Sequence, residues 1–179
     1  MAGPLLTSLV TPLPAASVIV MRDAPLEVLL LRRHAGASFM PNAWVFPGGT
    51  ADGDETPQEA AAREAREEAG IVLDPGSLVA TSRWITPAGL PKRFDTWFFL
   101  ASVPRDTQVV IDGREIVEFM WIAPAEALAR RDLKVVLPTI KNLEAIRELE
   151  TVGALLASRE GITIEPIEPV LVDGKPTLR

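Results

Sequence analysis

The sequence predicts an α+β domain in which a mixed β-sheet is layered between helices, an α/β/α sandwich. Three observations carry this. Short runs rich in Val, Leu and aromatic residues lie on both sides of one strongly marked helix, and further helices follow, giving the order strands, helix, strands, helices. That helix has both ends written into the sequence. The chain has 179 residues, 47% of them hydrophobic and 23% charged, which suits one globular domain that buries its own core.

The elements follow in chain order. Residues 1–21 carry no charged side chain, but Pro4, Pro12 and Pro14 break the run and no basic residues precede it. We therefore read 1–14 as an extended arm leading into a strand, not as a signal or membrane segment. Residues 15–21 and 26–32 are apolar runs separated by a charged turn at Arg22–Pro25, a strand pair. Residues 34–42 are loop-like, and the short strand 43–46 is stopped by Pro47-Gly48-Gly49. Thr56 is an N-cap, Pro57 suits the first helical turn, and Glu59 completes a capping box. Strong helix formers continue to Ala69, and Gly70 follows as the stop. Strands are expected at 77–86, 92–102 and 115–122, and helices from Pro124 to about Arg130 and from Pro138 through Glu150. The stretch 160–179 alternates Ile, Pro and Glu and reads as an extended tail, which leaves 15–159 as the domain.

Composition excludes several chemistries. With no Cys there is no disulfide, thiolate or Cys-based metal site, and a single His excludes sites that need two imidazoles. A net charge of −6 gives no general attraction for nucleic-acid backbone or anionic lipid. The expected partner is a small molecule, with neither nucleic acid nor membrane, and the expected location is the cytoplasm.

The marked helix carries the chemistry. Glu64, Glu67 and Glu68 stand at i, i+3 and i+4, which puts three carboxylates on one face within about 5–6 Å at Cβ. Read alone, REAREEAG is a solvated salt-bridge face with Arg63 reaching Glu67. Beside a Gly-Gly loop, convergent carboxylates with no His or Cys suggest hard divalent cations such as Mg²⁺ or Mn²⁺. The surrounding spacing decides between the two readings. Gly49, five residues, Glu55, seven residues, then Arg63-Glu64-x-x-Glu67-Glu68-x-Gly70-Ile71 resembles the Nudix box. All seven fixed positions match, which chance would give on the order of 10⁻⁸ times per starting position, raised about 100-fold by the local Glu enrichment and still negligible. Ala65 departs mildly, because the family usually has a larger apolar residue there.

The resemblance also covers Phe46-Pro47-Gly48-Gly49 before the box, the aromatic strand at 94–100 and Trp121-Ile122-Ala123-Pro124. It implies the Nudix fold and a pyrophosphohydrolase that cleaves a nucleoside diphosphate linked to another group, X. It implies Glu67, Glu68, Glu64 and the carbonyl of Gly49 as metal ligands, with Glu64 an alternative base. Arg63 would orient a box carboxylate, Glu55 would hold the loop or Arg63, and Gly70 would be structural. A further carboxylate outside the box is expected to serve as base or ligand; Glu115 is the candidate and Glu118 its rival. Arg33 and Arg93 are candidates for substrate phosphate, the alternative for Arg93 being an ion pair with Asp95. The runs Leu29–Gly49, Lys92–Ala101 and Glu118–Ala129 look like the coenzyme A diphosphatase-related group. Coenzyme A-type substrates are therefore favoured. ADP-ribose, NADH, dinucleoside polyphosphates and a non-catalytic nucleotide-sensing role remain alternatives. Dimers are common in the family, which leaves a homodimer open.

Overall fold

A computed structural model describes residues 10–178, so the first nine residues of the expected arm lie outside the described residues. Strands β1 (Leu13–Arg22) and β2 (Glu27–Arg33) form the expected antiparallel hairpin. β3 (Trp44–Val45) pairs with β2, and β4 (Gly48–Thr50) pairs with the first half of β1. After α1 (Pro57–Ala69) come β5 (Val79–Ile85), β6 (Phe94–Ser102) and β7 (Ile116–Ile122). β6 runs parallel to β1 along its whole length, whereas β5 is antiparallel to β6 and β7 antiparallel to β2. The sheet is therefore mixed, as the sequence predicts. α2 (Pro124–Ala129), α3 (Leu137–Ile146) and α4 (Val152–Ala157) follow. The tail then adds β8 (Pro166–Ile167), which is parallel to β5, and a hairpin of β9 (Val170–Val172) and β10 (Lys175–Thr177).

Side-chain alternation makes the layers. Ala16, Val18 and Val20 of β1, with Leu29 and Leu31 of β2, face the alanine stripe Ala60, Ala61, Ala65 and Ala69 of α1. Ile19, Met21, Val28 and Leu30 face the opposite way, toward Leu143 and Ile146 of α3 and Val152 and Leu155 of α4. Small side chains on α1 let its backbone lie close to the sheet, and that seats its acidic face beside Gly48 and Gly49. Ala65 is fully buried in this stripe.

Both helix ends form as the sequence predicts. The Thr56 hydroxyl accepts from the Glu59 N–H, the Glu59 carboxylate accepts from the Thr56 N–H, and Gly70 ends the helix at φ 68°. Thr56→Ala is expected to cost about 1 kcal/mol, read as a lowered urea midpoint with an unchanged m-value.

Candidate active site

Arg63 organises the acidic face. All five of its N–H donors are engaged: Nε and Nη2 grip Glu55 at 2.9 and 3.1 Å, Nη2 also donates to the Thr50 carbonyl at 2.9 Å, and Nη1 donates to Glu64 at 2.8 Å and Glu67 at 3.1 Å. One planar guanidinium therefore fixes the loop after β4, the loop carboxylate Glu55 and two helix carboxylates. The hydrogen bonds from Arg63 and the Asp52 N–H hold Glu55 below the usual carboxylate range.

The carboxylates differ in setting. Glu67 stands at the rim with its side chain 53% exposed, while that of Glu64 is 15% exposed. Glu68 is buried and accepts the Gly48 N–H at 2.9 Å; burial pushes its carboxyl up to about 8 against that bond. Burial also raises Glu64, and Arg63 opposes it. The two glycines permit this closeness. A Cβ on Gly48 would lie 2.6 Å from the Ala16 carbonyl oxygen, and one on Gly49 would lie 2.7 Å from Glu64 Cδ.

Two more groups approach, from β2 and from the loop that enters β7. The register between these strands slips at Arg32/Arg33, where Arg32 lies opposite Glu118 and Arg33 opposite Ile116. The slip separates the arginines. Arg32 meets Glu118 at 2.8 Å in an ion pair that lacks hydrogen-bond geometry at Nε, whereas Arg33 turns into the cavity beside the box helix and bonds the Phe39 carbonyl through Nε. Glu115 lines the same cavity; Glu118 does not. Asp112, which the sequence reading passed over, accepts the N–H groups of Arg114, Glu115 and Ile116 and so sets the loop carrying Glu115. Burial pushes Asp112 up, but these three bonds outweigh it and hold the carboxyl below its ordinary value. An Asp two residues before Arg114 is the turn signal that could have revealed it.

Arg93 requires a correction. It lies outside the cavity lining, buried, donating to the carbonyls of Thr86 and Val10 and to Glu168 at 2.5 Å. It is unavailable to a substrate phosphate. It does not pair with Asp95 either, because Arg83 takes Asp95 with two hydrogen bonds.

The cavity measures about 650 Å³, in the range of small-molecule sites. Glu64, Glu67, Glu68, Asp112 and Glu115 line one part of it; Phe39, Phe94, Trp84, Leu90 and Val136 line much of the rest. Among the described residues, no group of three acidic or His side chains is gathered as a ready cage for an ion. One oxygen each of Glu64 and Glu67 turns to Arg63, and one of Glu68 to Gly48. The donor set itself, carboxylates beside a glycine backbone and no nitrogen or sulfur, is the chemistry of Mg²⁺ or Mn²⁺.

The family model described as NUDIX domain matches residues 11–142. A Caenorhabditis elegans protein named "Putative nudix hydrolase 7" is 29% identical over 87% of this chain and 66% of its own length. The RNA pyrophosphohydrolase of Marinomonas sp. is 30% identical over 70% of this chain and 91% of its own. The bovine m7GpppN-mRNA hydrolase NUDT17 is 30% identical over 62% of this chain and 41% of its own. The chain thus spans less than two thirds of the worm and bovine relatives. Among solved structures, a NUDIX hydrolase from Alicyclobacillus acidocaldarius superposes with a TM-score of 0.75 at 24% identity, covering 82% of this chain and 96% of that one. It shares the fold.

Proposed function

The chain belongs to the Nudix family, and on that premise we propose that it is a divalent-metal-dependent hydrolase of nucleoside diphosphates linked to a second group, X. The observation that carries the reading is that Gly49, Glu64, Glu67 and Glu68 of the box meet Asp112 and Glu115 in one cavity, five carboxylates beside a largely apolar remainder. Coenzyme A-type substrates are favoured by the runs flanking the box. ADP-ribose, NADH and dinucleoside polyphosphates are the alternatives. Two relatives are named for activity on RNA or its cap, but a net charge of −6 offers a long polyanion no general attraction.

In the reaction a water oxygen bonds to one phosphorus, the bridging P–O bond breaks, and two phosphate monoesters leave. Glu67, Glu68, Glu64 and the Gly49 carbonyl are the groups that would hold Mg²⁺ or Mn²⁺. When bound, the metal supplies positive charge against the diphosphate oxygens and lowers the cost of activating water. Arg63 keeps Glu64 and Glu67 aimed. Glu115 would take the proton from water on its carboxylate, with Asp112 holding its backbone N–H. Arg33 offers its guanidinium to a phosphate oxygen.

The test is product mass after incubation with coenzyme A, ADP-ribose, NADH and a diadenosine polyphosphate, with Mg²⁺ or Mn²⁺ and again with chelator. Metal-dependent release of adenosine 3′,5′-bisphosphate from coenzyme A supports the whole reading. Cleavage of another member keeps the class and removes the coenzyme A preference. No cleavage of any member overturns the hydrolase. In the same assay Glu115→Gln is expected to lower kcat about 10- to 100-fold, within the range for a positioned proton acceptor. Glu118→Gln, which alters only an exposed ion pair, should stay within about twofold. Equal losses in the two variants would remove Glu115 from the reaction.

A further inference from the structure

We propose that the C-terminal segment Pro166–Thr177 is a wall of the substrate cavity and binds the apolar group that the diphosphate carries. The proposal rests on the hydrolase reading above and assigns part of the substrate to residues beyond the span matched by the family model, which ends at 142.

The segment is tied down in sequence order. β8 extends the sheet beside β5, with Pro166 opposite Arg83 and Ile167 opposite Trp84. The next residue, Glu168, meets Arg93 at 2.5 Å. Arg93 also holds the carbonyls of Val10 and Thr86, so one buried guanidinium joins the start of the described chain, the turn after β5 and the C-terminal segment. This explains a buried Arg that never reaches the substrate. It is a positioning residue for the wall.

What the clamp positions is apolar. Pro169, directly after Glu168, is buried and lines the cavity. The chain then turns at Asp173-Gly174, with φ of 50° and 75°, and returns antiparallel to bring Pro176 opposite Leu171. Pro176 also lines the cavity, and Leu171 packs 3.7 Å from where a Cβ on Gly89 would stand. Pro169 and Pro176 share the cavity with Leu90, Val136 and Phe94, the last in an edge-to-face pair with Phe39 at 5.4 Å. Rigid proline rings beside aromatic edges suit a flat or aliphatic group. Two sources supply one in such substrates, the nucleobase and X.

The experiment uses adenosine diphosphate esters whose X is methyl, butyl or octyl, and the same esters lacking the base. The full chain is compared with Pro176→Asp, an exposed position, and with Glu168→Gln, which weakens the clamp. With the wild-type chain, kcat/KM is expected to rise from methyl to octyl, or from base-free to base-bearing esters. Pro176→Asp is expected to shrink that ratio about tenfold, by analogy with the loss of one apolar contact in a pocket. Glu168→Gln should shrink it less. A shrinkage confined to the octyl/methyl ratio assigns the wall to X; one confined to the base-bearing/base-free ratio assigns it to the nucleobase. Unchanged ratios, or equal losses on every ester, overturn the wall. If the wild-type chain turns over none of them, the hydrolase reading fails separately. Calorimetric binding of the octyl and base-bearing esters to the metal-free protein then decides the wall: about tenfold weaker binding by Pro176→Asp supports it, and equal or absent binding overturns it.

Discussion

Glu67→Gln is expected to lower kcat on the best diphosphate substrate by about 10³-fold or more while leaving the urea midpoint unmoved. The two halves of this result have different causes. Glu67 is the rim member of the cluster, half-exposed, and its one contact within the helix face is the bond from Arg63 at 3.1 Å. An exposed i,i+4 pair contributes about 0–1 kcal/mol, and Gln keeps the length and a hydrogen-bonding oxygen, so the fold barely registers the change. Catalysis is expected to register it, because what the substitution removes is negative charge where the proposed divalent ion would sit. Losing one anionic ligand there removes several kcal/mol of transition-state stabilisation, and about 4 kcal/mol is already about 10³ in rate. Initial rates across a Mg²⁺ titration and a denaturation curve on the same preparation test both halves. A variant that keeps more than a tenth of the rate places the chemistry elsewhere. A variant that unfolds early makes Glu67 structural.

The part of the site that could be read in the sequence is the part whose forces are local. Thr56, Pro57, Glu59 and Gly70 act within a turn of the helix ends, so the bounds of α1 follow from them, and i, i+3, i+4 spacing then puts Glu64, Glu67 and Glu68 on one face. What failed was set across the chain. Pro47-Gly48-Gly49 reads as the end of a strand, yet Gly48–Thr50 is itself β4, because β1 offers Ala15–Ser17 as partners some thirty residues upstream and a Cβ-free chain can lie that close. Spacing along one strand face pairs Asp95 with its neighbour Arg93, but antiparallel pairing with β5 brings Arg83 to it instead. Arg93 then finds its carboxylate at Glu168, a partner 75 residues away that no local spacing announces. The slip between β2 and β7 that sends Arg32 and Arg33 different ways is equally invisible from one strand. The hairpin at Asp173-Gly174 is a different case. That dipeptide between Val170-Leu171-Val172 and Lys175-Pro176-Thr177 is a local turn signal, and it was open to reading.

Arg63 is where fold and chemistry meet, and replacing it is expected to injure both in separable ways. Arg63→Ala removes every partner of the guanidinium at once. It frees the Thr50 carbonyl and the loop held through Glu55, and leaves the part-buried Glu64 facing Glu67, Glu68 and Glu115 with no nearby compensation from the helix. Leaving a part-buried carboxylate unpaired among like charges is expected to cost about 2–3 kcal/mol, seen as a lower urea midpoint, together with about a 10- to 100-fold loss in kcat as the misaimed ligands weaken metal binding. Arg63→Lys separates charge from geometry. An ammonium restores the positive charge, but it lacks the planar fork that grips both Glu55 oxygens while a third arm reaches Glu64 and Glu67. Lys should therefore recover much of the stability and little of the rate, and the Mg²⁺ concentration for half-maximal activity should stay raised. Recovery of the rate and of the Mg²⁺ requirement by Lys would mean that Arg63 contributes charge alone. A Mg²⁺ requirement unchanged even in Arg63→Ala would mean that it only holds the loop. The metal titration is the readout that tells these apart, since a purely structural arginine would shift the midpoint of unfolding and leave the metal dependence where it was.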